Sequence, residues 1–340
     1  MPVRMNPRSI SIACLVVAAA LPLAARPARA DAWLLSPGDH YSSIGSSYFS
    51  ADSYHDLNGT RHPLDQGGLH EEKSLFSYNE FGWTKGRTFI LGFPFAGVTR
   101  RDGSPAADGG RTETGFGDLL IGLRIHAFGT GATTGSVEID WNPPMGYNRS
   151  LNPRIGEGAS NLVGKFAYGM PVGHFAFVSV DGGYRYYMDK TSASIDYLDN
   201  NGNRATKTVN VNNHAPTDQV VADATVGWWL SHALLAAGRY QAAFGRSDPT
   251  QGLPIIGGDQ TYHALPGDAV AATTNAHVTT QMAGPLLVYK TSDRLDLMVG
   301  SMHTMTAKNA LHVDRLYVAI ALKQTKLGRL QGLAGARSSP

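Results

Sequence analysis

Cysteine is nearly absent: the chain has one, Cys14, and it lies in a leader segment. Beyond the leader, neither disulfides nor thiolate chemistry are available. Long apolar runs are scarce as well. Outside residues 10–23, no stretch reaches the roughly 18 apolar residues of a membrane-spanning helix. An excess of one charge is also missing. Arg4, Arg8, Arg26 and Arg29 of the leader come with no acid, so the formal net charge of +2 becomes −2 without them. A near-neutral chain has no concentrated basic surface, which excludes nucleic acid as a partner.

The leader has a positive start (Arg4, Arg8), the apolar run 10–23 and the small-x-small site Ala28-Arg29-Ala30. That is a secretory signal peptide, with the mature chain beginning at Asp31. The division expected is 1–30 signal, 31–325 a single β-barrel and 326–340 a polar tail.

What the chain does have is alternation. In residues 112–128, TETGFGDLLIGLRIHAF, the odd positions from Gly115 to Ala127 are apolar or glycine, and the even ones include Thr114, Asp118, Arg124 and His126. A period of two means an extended segment with one greasy and one wet face. It is also longer than the roughly 9–11 residues that a tilted strand needs to cross a bilayer. The pattern recurs, giving twelve expected strands at 41–50, 72–84, 87–100, 112–128, 133–141, 161–170, 174–189, 217–230, 233–245, 274–290, 294–307 and 311–323.

The connections alternate too: long after the odd-numbered strands and short after the even ones, except for a short last link near 307–311. A soluble sandwich has no reason to sort its loops this way. Outer-membrane barrels do, with short periplasmic turns, long external loops and an even strand number. The fold expected is therefore all-β: a transmembrane antiparallel up-and-down β-barrel of about twelve strands. Charges are costly in lipid, so the charged positions must face inward. Glu80, Asp118, Arg124, Asp140, Asp181, Arg185, Asp223, Arg239 and Arg315 are the expected lumen lining, with Glu138 and Lys165 on the same faces. The segment 51–70 is a candidate to fill part of the lumen.

The block Gly115–Phe128 resembles the G-F-G-D-x-x-x-G-x-[KR] signature of the outer-membrane β-barrel family described as transporters of the phenol-degradation meta-pathway. The preceding stretch is similar as well: Asn58-Gly59-Thr60-Arg61 in the first loop, the His70-Glu71-Glu72-Lys73-Ser74-Leu75 strand with Glu80, and Leu91-Gly92-Phe93-Pro94. The resemblance implies a barrel that passes small hydrophobic or aromatic compounds. Its partners would be outer-membrane lipid, the solute, and the periplasmic chaperone and barrel-assembly machinery. It implies no cofactor and no catalytic residues. The chain departs from barrels that close on a terminal aromatic residue, since it runs on to Pro340.

Competing chemistries find little support. His55, His62 and His70 are spaced by seven and eight, which fits no compact metal-ligand set. Asp199-Asn200-Asn201-Gly202-Asn203 starts like a calcium loop but has Arg204 at the sixth position and Asn210 at the twelfth. His126 and Asp118 are about 26 Å apart along a strand, too far for a catalytic dyad. His303 near Ser301 has no surrounding motif. An outer-membrane enzyme acting on a lipid or ester, and a non-conducting structural or adhesive barrel, are the alternatives to a channel.

Overall fold

The computed structural model describes residues 33–56, 58–64, 68–101, 111–129, 133–147, 155–188, 193–198, 204–209, 218–245, 263–264, 279–308 and 310–324. The expected signal peptide and polar tail lie outside these residues. The strands are β1 (His40–His55), β2 (Arg61–Pro63), β3 (Leu69–Thr84), β4 (Arg87–Arg101), β5 (Arg111–Phe116), β6 (Leu120–Phe128), β7 (Thr134–Asn142), β8 (Asn161–Val172) and β9 (Ala176–Tyr187). They continue with β10 (Ala193–Leu198), β11 (Arg204–Val209), β12 (Gln219–Trp229), β13 (Leu234–Gly245), β14 (His263–Ala264), β15 (Thr279–Lys290), β16 (Leu295–Lys308) and β17 (Ala310–Gln324).

Twelve of these form the wall, in the order β1-β3-β4-β6-β7-β8-β9-β12-β13-β15-β16-β17, and β17 pairs back onto β1. Every wall pairing is antiparallel, so the sheet has no free edge and the barrel is closed. Of the remaining strands, β5 continues the wall along β4 above β6, and the others belong to the long connections. β2 pairs with β1, while β10, β11 and β14 make a separate three-stranded sheet. Of the 51–70 segment, a candidate lumen filler, residues 51–55 instead extend β1 and residues 61–63 form β2 laid along it.

The side chains are sorted opposite to a soluble protein. In β7, Val137 is 41% exposed, Ile139 49% and Trp141 43%, whereas Glu138 is 6% and Asp140 3%. Ser136 and Thr134 are buried on the same inner face. β17 repeats the pattern, exposing Leu316, Val318, Ile320 and Leu322 and burying Ala319 and Ala321. An apolar exterior around a polar interior is what hydrocarbon solvent selects, and it makes this a transmembrane barrel. Short turns gather at one end, such as Lys85-Gly86, where Gly86 takes φ +78°, a left-handed conformation that lacks a Cβ penalty only in glycine. Apart from the tight β16–β17 link, the long connections lie at the other end.

The 112–128 stretch is not one strand. β4 pairs Phe95 with Phe116 and Gly92 with Leu120, so two residues of β4 (Phe93, Pro94) face three (Gly117, Asp118, Leu119). The extra residue is a β-bulge, and Pro94, which has no N–H to give the ladder, sits opposite it. Pro94 contributes only its carbonyl, which accepts the Gly117 N–H at 2.9 Å. The bulge flips the faces. Below it Arg124 points inward as expected, but above it Phe116 lies outside against Phe95 and Glu113 pairs with the buried Val98 on the inside. The alternation read for Thr114 and Phe116 is reversed for that reason.

Candidate functional site: lumen and wall break

Each inward charge is placed by the pleat of its strand, and the register decides which charges meet. Arg124 of β6 lies opposite Glu138 of β7, which lies opposite Lys165 of β8. Arg124 donates from Nε to Glu138 Oε2 at 2.6 Å and from Nη1 to Glu80 Oε1 at 3.0 Å. Lys165 Nζ bridges Glu138 Oε1 at 2.5 Å and Asp140 Oδ2 at 2.7 Å. Tyr78 donates its hydroxyl to Glu80 at 2.7 Å. The Arg124 side chain is only 2% exposed, a buried charge held by two carboxylates. Gly122, between Arg124 and the bulge, faces the same interior, and a Cβ there would run into the Asp140 carboxylate. The second half of the GFGD-x-x-x-G-x-R block is thus built around this cluster.

The short-turn end is filled by the chain itself. Trp33 leads a segment that precedes β1 and lies inside the barrel. Its carbonyl accepts from Arg124 Nη1 at 3.4 Å, and Leu35 donates its N–H to the Thr88 hydroxyl at 3.1 Å. The Trp33 ring meets Phe177 edge-on at 6.2 Å. Phe177, Leu235 and Val288 form an apolar core inside the barrel, with Trp33, Trp229, Leu286 and Met298 packed against it. Trp33 lies ahead of the first stretch that strand periodicity covers. Its only signal was the apolar triplet Trp33-Leu34-Leu35 just ahead of a polar strand.

A second network lies nearer the long-loop end. Asp118 accepts from the Tyr147 hydroxyl at 2.5 Å and the Glu157 N–H at 2.8 Å. Glu157 pairs with Arg185 at 3.0 Å and accepts from the Tyr187 hydroxyl at 2.8 Å, while Arg185 also donates to Gln219 at 3.1 Å. Asp118 and Arg185, sixty-seven positions apart in the sequence, are therefore joined through a residue of the β7–β8 connection that strand periodicity does not reach. Asp223 takes Arg239 at 2.9 Å and Gln241 at 2.6 Å, and Asp181 stands opposite Asp223 in the β9–β12 register. Arg315 is different. It is exposed, its guanidinium lies 6.0 Å from the Phe49 ring centroid, and Glu72, which opposes Phe49 from β3, is the acid that feels its charge, without a direct ion pair.

The wall beside the Asp118 network is incomplete. β6 pairs with β7 up to Ile121–Trp141, but beyond the bulge β5 pairs with β4 alone among the described residues. Across the gap, Leu119 donates its N–H to the Pro143 carbonyl at 2.9 Å, and Asp118 makes an isolated bridge to Pro144. Two consecutive prolines cannot supply the N–H groups a ladder needs there. Above Asn142 and Asn161, where β7 ends and β8 begins, residues 155–160 of the connection stand in place of paired strand. They are pinned by the Asp118–Tyr147 and Glu157–Arg185 contacts, and on the β9 side the Met188 N–H donates to the Ser160 carbonyl at 2.9 Å.

The dyad candidates separate. Asp118 is held by Tyr147, His126 Nδ1 lies 3.4 Å from the Thr134 hydroxyl, and His303 pairs with Asp314 at 2.8 Å.

No protein-family model matches this chain, and no curated protein does. Solved structures are similar in fold. An outer-membrane channel from Pseudomonas putida F1 superposes with a TM-score of 0.63 at 13% identity, over 87% of this chain and 99% of that one. The NanC porin gives a TM-score of 0.44 at 9% identity over 83% and 100%, and the CymD monoaromatic hydrocarbon channel 0.44 at 8% over 86% and 89%.

Proposed function

We propose that this protein is a bacterial outer-membrane channel through which a small apolar or aromatic solute passes passively, entering at the long-loop end and leaving sideways through the wall break. The observation that carries the reading is the contrast between axis and wall. Along the axis, Trp33 and the Arg124 cluster occupy the lumen at the short-turn end, which we assign to the periplasm. A buried ion-pair cluster is a poor path for an apolar molecule, which would have to displace charges that hold one another in place. The wall, by contrast, has no ladder hydrogen bonds between β5 and the β7–β8 connection among the described residues. An apolar solute moving outward there passes from a wet lumen into hydrocarbon, which the hydrophobic effect favours.

The fold shared with a channel described as outer-membrane supports the location, and the GFGD block supports the solute class. The charged rows then set what is rejected rather than what is carried. The test is uptake into proteoliposomes holding the refolded barrel. A small aromatic hydrocarbon is expected to equilibrate faster than into empty vesicles, while a sugar of similar size does not. Equal rates for sugar and hydrocarbon would indicate an ordinary aqueous pore, and no enhancement of either would end the channel reading.

A further inference from the structure

We infer that His55 and His312 form a two-imidazole site for a late first-row divalent metal ion, such as Cu2+, Ni2+ or Zn2+, clamping the first and last wall strands together above the membrane. The two residues are separated by most of the chain and meet only because β17 closes onto β1. A bulge in β1 between Ser50 and Ser53 puts both rings on one face of the pair, with Ser53 opposite His312. His55 Nε2 and His312 Nδ1 stand 3.0 Å apart. Two imidazole nitrogens bound to one ion at about 2.0–2.1 Å are separated by roughly 2.9 Å at a right angle and about 3.3 Å at a tetrahedral one. The observed spacing lies within that window.

The second shell is already built. His55 Nδ1 lies 3.0 Å from the Gly59 carbonyl, so Nδ1 carries the proton and donates it there, and the Nε2 lone pair accepts the His312 Nδ1–H until a metal ion replaces that proton. A backbone carbonyl on the far nitrogen is the usual orienter of a metal-bound histidine. Gly59 itself is fixed by a tight turn. It takes φ +87°, its N–H donates to the Asp56 carbonyl at 3.0 Å, and the Asp56 carboxylate accepts from the Asn58 and Thr60 N–H groups. On metal binding, His312 gives its Nδ1 proton to solvent and takes one from solvent at Nε2, so the ring stays neutral in the Nε2–H tautomer and no net proton is released.

The site lies past the lipid belt. On the outer face of β17 the apolar row Leu322, Ile320, Val318, Leu316 stops at Asp314, which pairs with His303, and His312 is the next position on that face. No third His, Cys, Asp or Glu stands with the two among the described residues, so water completes the ion's shell. Imidazole donors suit copper, nickel and zinc and not calcium or magnesium. An ion bound only by the closed barrel stabilises closure by mass action.

The experiment is Cu2+ electron paramagnetic resonance on the untagged, refolded mature barrel, with folding checked by its gel mobility shift on boiling. One equivalent of Cu2+ is expected to show hyperfine coupling to two imidazole nitrogens. His55→Asn and His312→Asn, which keep a polar side chain of similar reach, are each expected to lose one of the two. His303→Asn, on the same rim but paired with Asp314, is expected to leave the spectrum unchanged. In parallel, Ni2+ is expected to raise the temperature of the mobility shift in the parent and not in either ligand variant. A two-nitrogen signal that survives both ligand substitutions, or a parent spectrum with fewer than two nitrogens, overturns the assignment.

Discussion

Toward the short-turn end and the middle of the lumen, Arg124, Lys165, Arg239 and Lys323 each have a carboxylate as an ion-pair partner. Nearer the long-loop end Arg185 is paired as well, but Arg315 lies over the Phe49 ring, with Glu72 beyond that ring and no direct ion pair. The same residue types occur on the same inward faces, yet the paired cations are tied down, while Arg315 stays exposed with only the more distant Glu72 to offset it. The difference follows from register. Arg124, Glu138 and Lys165 are directly opposed across three neighbouring strands, so their side chains are obliged to meet. Arg315 is opposed by Phe49, which offers a ring face instead of a carboxylate. A row of inward charges is therefore not in itself a solute path: paired it is mortar, and unpaired it is a filter.

The comparison breaks most visibly if the plug is removed. Deleting Trp33–Gly38 should raise single-channel conductance in planar bilayers several-fold, since the segment occupies the short-turn end beside Phe177 and Arg124. An unchanged conductance would show that the seal lies elsewhere. Next in size is Arg124→Ala, which leaves Glu80 and Glu138 buried without their main cation. Breaking a buried pair costs about 3–5 kcal/mol, readable in urea unfolding from vesicles. Arg315→Ala should cost under about 0.5 kcal/mol. On the lipid side, Ile139→Arg should cost about 2–4 kcal/mol if β7 crosses at mid-bilayer.

Selectivity should reverse that ranking. Arg315→Ala should move the reversal potential toward cations further than the double variant Arg124→Ala with Arg185→Ala, because the latter two charges are already offset by Glu80, Glu138 and Glu157. The opposite order would mean that the paired clusters, not Arg315, face the permeating ions.

The smallest effect belongs to the rim turn. The Asp56 carboxyl is held below its usual range, chiefly by accepting the Thr60 N–H, with His62 and the Asn58 N–H adding to it. A depressed carboxyl stabilises the turn above its ordinary pKa of 3.8 and loses that contribution as pH falls through the lower folded value. Amide exchange in residues 58–60 should therefore be protected at neutral pH and lose protection only in strongly acidic solution. Asp56→Asn should remove most of that pH dependence.

Much of this barrel was legible because hydrocarbon imposes a period of two on every wall strand. The alternation of β7 and the sorting of loop lengths carried the strand number and the inward faces. What was hidden came from contacts that periodicity does not encode. The bulge at Gly117–Leu119 depends on Pro94, a residue of the neighbouring strand, so the face flip at Phe116 is invisible within its own stretch. The inward use of Trp33 and Glu157 is set by tertiary packing of segments without strand pattern. His55 and His312 illustrate the same limit. Spacing along the chain compared His55 with His62 and His70, whereas barrel closure brings it to a residue near the opposite terminus.

The most direct measurement uses the lack of cysteine outside the leader. Leu119→Cys with Pro143→Cys places a cysteine pair across the wall break, where the two backbones already touch through a 2.9 Å hydrogen bond. Uptake of an aromatic hydrocarbon into proteoliposomes is then compared before and after reduction. Slow uptake in the oxidised form, restored by reductant while ion conductance stays constant, is the result expected of a sideways exit. Uptake that is equally fast in both forms would place the route along the barrel axis and contradict it.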